Sequence, residues 1–221
     1  MAGSMLNEVM ALPAASAIIL RNDPLEVLML RRPESASFVP NAWVFPGGMH
    51  EALDRELADT TLEAMKITAA RETFEETGVW LGSALEDATR KRAALLAGEL
   101  TMRELLAESP LDLSTLVYTS RWITPVGIPK RFDTYFFLAS VARDVVATAE
   151  QREAVEVKWI LPAEALARHA AREMPMVFPT LRSLESLAGF EHAEDLLASR
   201  RGATIEAVLP VLVNGKLTLS R

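Results

Sequence analysis

The stretch from Thr60 to Gly78 constrains this chain most, because it has helical periodicity yet places acids where a purely structural helix avoids them. Thr60 followed three residues later by Glu63 is a capping-box pattern, and Gly78 is a natural residue just past a helix end, so the spacing predicts a helix over 61 to 77. Its densest part reads Arg71-Glu72-Thr73-Phe74-Glu75-Glu76-Thr77-Gly78. Glu72 and Glu76 lie one turn apart and Glu72 and Glu75 are neighbours, so three carboxylates share one stripe. Like charges at that spacing cost a few tenths of a kcal/mol per pair, roughly. A divalent cation among them turns repulsion into coordination, since hard cations such as Mg2+ take oxygen ligands and retain several waters.

Taken alone, such a pattern is also that of a solvated helix face. Two neighbours tip the balance. Arg71 precedes Glu75 by four residues and is placed to orient it, and upstream Phe45-Pro46-Gly47-Gly48 is expected to form a loop that brings bare backbone close to a ligand. Glu63 lies half a turn out of phase with Glu72. It is read as a supporting residue at the helix start, either pairing with Arg71 or acting only as the capping glutamate.

The remaining chain reads as strands and helices around this helix. Ala15 to Leu20 and Leu25 to Leu30 predict a β-hairpin turned by Asn22 to Pro24. Glu86 to Ser109 predicts one or two inserted helices, whose ordinary role is packing. Strand-like runs follow at Leu116 to Pro125, Phe132 to Val141 and Val157 to Leu161, and Pro162 opens a helix. The last third reads as helical through about Arg200, with a closing hairpin turned at Asn214-Gly215. No repeat or linker interrupts this order, so one domain over 1–221 is expected, with a core of about 14–162, a helical insert of about 83–115 and a helical extension of about 163–221.

Composition excludes several chemistries. With no cysteine there is no disulfide, thiolate zinc site or cysteine nucleophile. A net charge of -7 repels phosphate backbones unless a cation or a local basic patch reverses the field, which disfavours nucleic acid as a partner. The most apolar early stretch, Met10 to Leu20, is too short to span a bilayer and is read as a buried strand. The expected partner is thus a small molecule, with no membrane, a cytoplasmic location, and a homodimer left open. His50, His169 and His192 are scattered without ligand spacing and none is taken as catalytic.

The residues from Glu63 to Val79 resemble the signature of the Nudix hydrolases: glycine, five residues, glutamate, seven residues, then Arg-Glu, an apolar residue, any residue, Glu-Glu, any residue, Gly and an apolar residue. Thr73 stands where an aliphatic residue is usual. Counting from Gly48, fourteen residues rather than five precede Glu63, so nine extra residues sit inside the motif. An insertion at this point is similar to that of the peroxisomal-type coenzyme A diphosphatases, as are Ser37 to Gly48, Trp122-Ile123-Thr124-Pro125 and Pro129 to Thr134. Removing the insert between His50 and Asp59 is accordingly expected to alter substrate preference more than stability.

The resemblance implies a mixed-sheet α/β/α sandwich and hydrolysis of a diphosphate linkage in a nucleoside diphosphate derivative with Mg2+ or Mn2+. It implies Glu72, Glu76 and Glu75 as metal ligands with the Gly48 carbonyl, Arg71 as orienting partner, and Glu72 and Glu75 within the catalytic set. A general base or further ligand is expected from a distant loop, where Glu150, Glu153 and Glu156 are candidates and Glu153 is preferred. Arg31, Arg32, Lys130 and Arg131 form two basic pairs suited to gripping phosphate, and Trp122 and Phe132 are candidates for stacking on a base, though buried core aromatics are the commoner outcome. Coenzyme A or acyl-coenzyme A is the branch-level substrate, with ADP-ribose, a dinucleotide or a nucleotide sugar as alternatives. A nucleotide-sensing module without hydrolysis is a further class, disfavoured because no motif carboxylate is missing.

Overall fold

A computed structural model of the chain describes residues 9–213 and 216–219. In chain order the elements are β1 (Leu12–Arg21), β2 (Glu26–Arg31), β3 (Trp43–Val44), β4 (Gly47–Met49), α1 (Ala52–Glu56), α2 (Thr61–Thr77), α3 (Ala88–Leu96) and α4 (Met102–Glu108). There follow β5 (Val117–Ile123), β6 (Phe132–Ser140), β7 (Glu156–Ile160), α5 (Pro162–Ala170), α6 (Phe178–Ser186), α7 (Ala193–Arg200), β8 (Ala207–Val208), β9 (Val211–Val213) and β10 (Lys216–Thr218). The strands predicted from apolar runs and the two inserted helices are all present. The Asn214-Gly215 turn lies outside the described residues.

The main sheet is mixed and runs β3-β2-β1-β6-β5-β8, with β7 also paired to β2 and β4 to β1. Its centre is the parallel pair β1 and β6, in register from Leu12 opposite Phe132 to Leu20 opposite Ser140. Strand alternation sends β1 and β6 side chains to two different cores. Ala15, Ala17, Ile19, Phe137 and Ala139 meet Met65, Ala69 and Ala70 of α2. On the other face, Ile18, Leu20, Phe136 and Leu138 meet Leu184, Leu196 and Leu197 of the C-terminal helices. This is the expected α/β/α arrangement with a mixed sheet and a helical C-terminal extension.

The insert adds an outer cover. Ile67 and Phe74, on the side of α2 away from the sheet, pack with Met102 and Leu105 of α4, and Phe74 lies edge-on to Trp80. Helix α2 is therefore enclosed on two sides, which explains why its interior contains threonines rather than one apolar stripe. Thr68, Thr73 and Thr77 are buried; the Thr73 and Thr77 hydroxyls donate to the carbonyls four residues back, at 2.7 and 2.6 Å, and the Thr68 hydroxyl donates to the Asp54 carboxylate at 2.9 Å. A buried hydroxyl needs such a partner, and with it Thr73 fits where an aliphatic residue is usual.

Two short elements depart from the sequence reading. Gly47 and Gly48 are not in a free loop but in β4, paired antiparallel with Ala14 to Ser16 of β1. The pairing is close enough that a Cβ on Gly47 would sit 2.4 Å from the Ala15 carbonyl oxygen, so only glycine can be zipped onto the sheet there. The second is α1, a five-residue helix whose short amphipathic turn gives no periodic signal of its own.

Candidate active site

Helix α2 supplies the frame of the site. Thr60 accepts a hydrogen bond from the Glu63 amide while the Glu63 carboxylate accepts from the Thr60 amide at 2.9 Å, and Gly78 ends the helix at a φ of 73°. Glu63 is thus the capping glutamate. The alternative pairing with Arg71 is absent among the contacts of the described residues, because Arg71 binds Asp54 instead.

Arg71 is 5% exposed and joins four groups. Its Nε and Nη2 donate to the two carboxylate oxygens of Asp54, each at 3.0 Å, and Nη2 also donates to the Met49 carbonyl at 2.9 Å. Nη1 lies 3.0 Å from both Glu75 Oε2 and Glu72 Oε1. Burial opposes a charge here, but the hydrogen bonds to Asp54 and the charges of Glu72, Asp54 and Glu75 together raise the guanidinium pKa above its ordinary value. Asp54 is fully buried and further accepts from the Thr68 hydroxyl at 2.9 Å and the Glu51 amide at 3.0 Å. A two-pronged arginine and carboxylate pair of this kind fixes orientation as well as charge.

Sequence reasoning missed Asp54, although a signal was present. Five residues separate Gly48 from Asp54, the motif's own spacing from glycine to acid, so with Asp54 as that acid the extra residues lie between the acid and Arg71 rather than between the glycine and the acid. The segment between His50 and Asp59 consequently carries the buried partner of Arg71. Its removal is expected to unfold the site, not to retune a surface loop, which corrects the expectation above.

Beside this pair, Glu72, Glu76 and Glu153 each present a carboxylate oxygen, and these oxygens lie within 4.8 Å of one another. Glu72 and Glu76 come from successive turns of α2, and Glu153 comes from the loop between β6 and β7. Gly48 closes the fourth side: a Cβ there would be 2.5 Å from Glu72 Oε1. Glu76 is held by the Gly47 amide, which donates to its Oε2 at 2.8 Å. Three oxygen donors with a surplus of negative charge fit a hard divalent cation, so the cluster has the donor set of a Mg2+ or Mn2+ site. Glu75 stands apart from the cluster, turned to Arg71. Glu150 is held by Arg152 and Glu156 lies beside Arg31, so neither joins the site.

Electrostatics describe the same cluster. Burial pushes the Glu72 carboxyl up to about 7, against the pull of Arg71 and with help from Glu75 and Glu153. Burial likewise raises Glu76 well above the usual carboxylate range, reinforced by Glu72, and raises Glu75 against the charge of Arg71. A carboxyl that binds its proton more tightly when folded contributes stability that is full below the unfolded value near 4.5 and is lost as pH rises through about 7. A cation bound at these oxygens replaces the proton and removes that loss. The gain in melting temperature on adding Mg2+ is therefore expected to be larger at pH 8 than at pH 5.5, by calorimetry or dye melting; a gain equal at both values contradicts it.

The carboxylates line a cleft of about 970 Å³. Of the four basic candidates, Arg32 and Lys130 line this cleft and Arg31 and Arg131 do not. Arg131 is 6% exposed and donates to the carbonyls of Thr124 and Val9, at 3.0 and 2.7 Å. Arg31 ends β2 with Nε 3.4 Å from Glu156. Trp122 and Phe132 both line the cleft, Trp122 mostly buried against Phe178 and Phe132 edge-on to Phe38. None of the three histidines joins the carboxylates: His50 pairs with Thr68, His169 with the Met174 carbonyl, and His192 precedes α7. Among the described residues, no helix is long and apolar enough to cross a membrane.

A sheet-backed helix presenting Glu72 and Glu76 to a glycine strand, with an arginine locked behind them, defines the Nudix type of site. The family model described as the NUDT19 Nudix domain matches residues 56–187, and the chain belongs to this family of Nudix hydrolases. It is 32% identical over 182 residues to putative nudix hydrolase 7 of Caenorhabditis elegans, covering 79% of this chain and 60% of that protein. It is 27% identical to the acyl-coenzyme A diphosphatase NUDT19 of Gallus gallus, covering 77% of this chain and 63% of the relative. The chain thus spans less than two thirds of the length of these two relatives. Among solved structures, a NUDIX hydrolase from Alicyclobacillus acidocaldarius superposes with a TM-score of 0.78 at 27% identity, over 86% of this chain and 96% of that one.

Proposed function

We propose that this chain is a metal-dependent diphosphatase that hydrolyses a nucleoside diphosphate derivative, with coenzyme A or acyl-coenzyme A as substrate. The products are 3',5'-ADP and 4'-phosphopantetheine or its acyl form. The observation that carries the reading is the lining of one cleft by both the carboxylates and the apolar side chains of Trp122, Phe132, Phe178, Leu212 and Leu217. Coenzyme A has matching parts, a diphosphate for the acidic lining and a long thin arm for the apolar lining. The named acyl-coenzyme A diphosphatases among the relatives support the same choice.

In this reading Glu72, Glu76 and Glu153 would hold the cation, with the Gly48 carbonyl beside them, while Glu75 is turned to Arg71. A bound Mg2+ or Mn2+ supplies an activated water and neutralises phosphate charge. The protein's own part is positioning. Arg71, fixed by Asp54, holds Glu72 and Glu75 in place; Glu153, the most exposed of the three clustered acids, is placed to take the proton from the attacking water. As water's oxygen bonds to one phosphorus, the bond from that phosphorus to the bridging oxygen breaks and the second phosphate leaves. Arg32 and Lys130 receive the phosphates, offsetting a chain charge that otherwise repels them. All motif carboxylates are present, which sets this chain apart from a sensor that binds without cleaving.

Turnover of coenzyme A, a long-chain acyl-coenzyme A, ADP-ribose and a dinucleoside polyphosphate with Mg2+ and Mn2+, products identified by mass, tests the proposal. The coenzyme A pair is expected to be cleaved at the diphosphate with the highest kcat/KM. Preference for ADP-ribose or the dinucleotide overturns the substrate, and cleavage of none overturns the activity.

A further inference from the structure

The end of α2 is built into the loop that carries Glu153. A helix leaves its last carbonyls without partners inside the helix, and here each of three is taken by another element. The Thr77 carbonyl accepts from the Thr148 amide at 2.8 Å, and the Glu76 carbonyl accepts from the Glu150 amide at 3.0 Å. The Glu75 carbonyl accepts from Arg92, through Nε at 2.9 Å and Nη2 at 2.8 Å. Arg92 belongs to the inserted helix α3, and its remaining nitrogen Nη1 donates to the Thr148 carbonyl at 3.0 Å and hydroxyl at 2.9 Å. The guanidinium therefore spans from the metal-side helix to the loop, near the negative end of the helix dipole. Gly78 leaves it room, since a Cβ there would be 3.3 Å from Nη1.

Beyond Thr148 the loop is tied by hydrogen bonds as far as Glu153. Glu150 accepts the amides of Arg152 and Glu153 on its carboxylate, at 2.9 and 3.2 Å, and the Ala154 amide donates to the Glu150 carbonyl at 2.8 Å. A displacement at Thr148 is thus passed to Glu153, five residues on. Arg92 does not line the cleft, and of the three clustered carboxylates it acts only on Glu76, through its charge.

We propose that Arg92 is a positioning residue by which the inserted helix α3 holds the Glu153 loop against the end of α2, and so sets the cation affinity of the carboxylate site. The inference rests on reading that cluster as a metal site. It gives the insert a part in the site beyond the packing of α4 on Phe74. Partners that orient metal ligands from behind typically change affinity by about 10-fold to 100-fold when removed.

The test is Mn2+ binding by isothermal titration calorimetry, with melting temperature in the absence of metal recorded alongside, for wild type, Arg92→Met and Arg92→Lys. Arg92→Met is expected to weaken Mn2+ binding by about tenfold, and Arg92→Lys, which keeps the charge but not the fork, is expected to fall between. A purely structural arginine lowers the metal-free melting temperature of both variants but leaves the Mn2+ dissociation constant of the folded protein unchanged; that result overturns the inference. If Arg92→Met does not fold, Arg92→Lys decides by the same constant. Wild type that binds no Mn2+ overturns the metal reading itself, whereas wild type that binds with both folded variants unaltered overturns only the role of Arg92.

Discussion

Glu76→Gln is expected to lower turnover by about a thousandfold at millimolar Mg2+, because a metal ligand that supplies several kcal/mol of charge stabilisation loses its charge. The fold should survive. Glu76 is 3% exposed and its Oε2 accepts the Gly47 amide at 2.8 Å, a bond that the glutamine oxygen can keep. Because burial already raises the Glu76 carboxyl well above its usual range, the neutral amide removes an unfavourable buried charge. The metal-free variant should thus melt at or above the wild-type temperature, while Mg2+ no longer raises it. Full turnover in the variant would take Glu76 out of the ligand set.

Asp54→Ala is expected to cost about 3–5 kcal/mol of stability, since it leaves the Arg71 guanidinium buried without its main counter-charge. No other acid replaces Asp54: Glu72 and Glu75 share the single nitrogen Nη1, and Glu51 lies 3.9 Å from it. The variant should also lose activity, because Arg71 is then free to rotate away from Glu72 and Glu75. Urea denaturation with the metal chelated measures the first effect apart from the second. A midpoint equal to that of wild type would show that Arg71 finds another partner.

The difference between these two residues follows from how each is encoded. The boundaries of α2 were legible because its signals are local: a threonine cap, a glutamate three residues on and a glycine at positive φ. Glu76 was legible for the same reason, one turn from Glu72. Asp54 was not, because its role depends on Arg71, seventeen positions away in the chain, and the insert between them shifted the count to Glu63. The third member of the cluster illustrates the geometry. At about 100° per residue, Glu75 and Glu76 fall on opposite sides of Glu72. Arg71 draws Glu75 to one side and the β6 to β7 loop delivers Glu153 on the other. Sequence placed Glu153 among three candidates, and only the turn built on Glu150 separates them. The basic pairs show the limit of reading side chains in twos: Arg31 ends β2 beside Glu156 while Arg32, just past the strand, lines the cleft, and of Lys130 and Arg131, which precede β6, only Lys130 lines it.

The coordination site is tested most directly by anomalous diffraction from crystals of the protein grown with Mn2+ near pH 8. A peak bounded by the carboxylates of Glu72, Glu76 and Glu153 and facing Gly48 is the predicted result. A chain that binds Mn2+ only elsewhere, with those three carboxylates unchanged and no density between them, would contradict it.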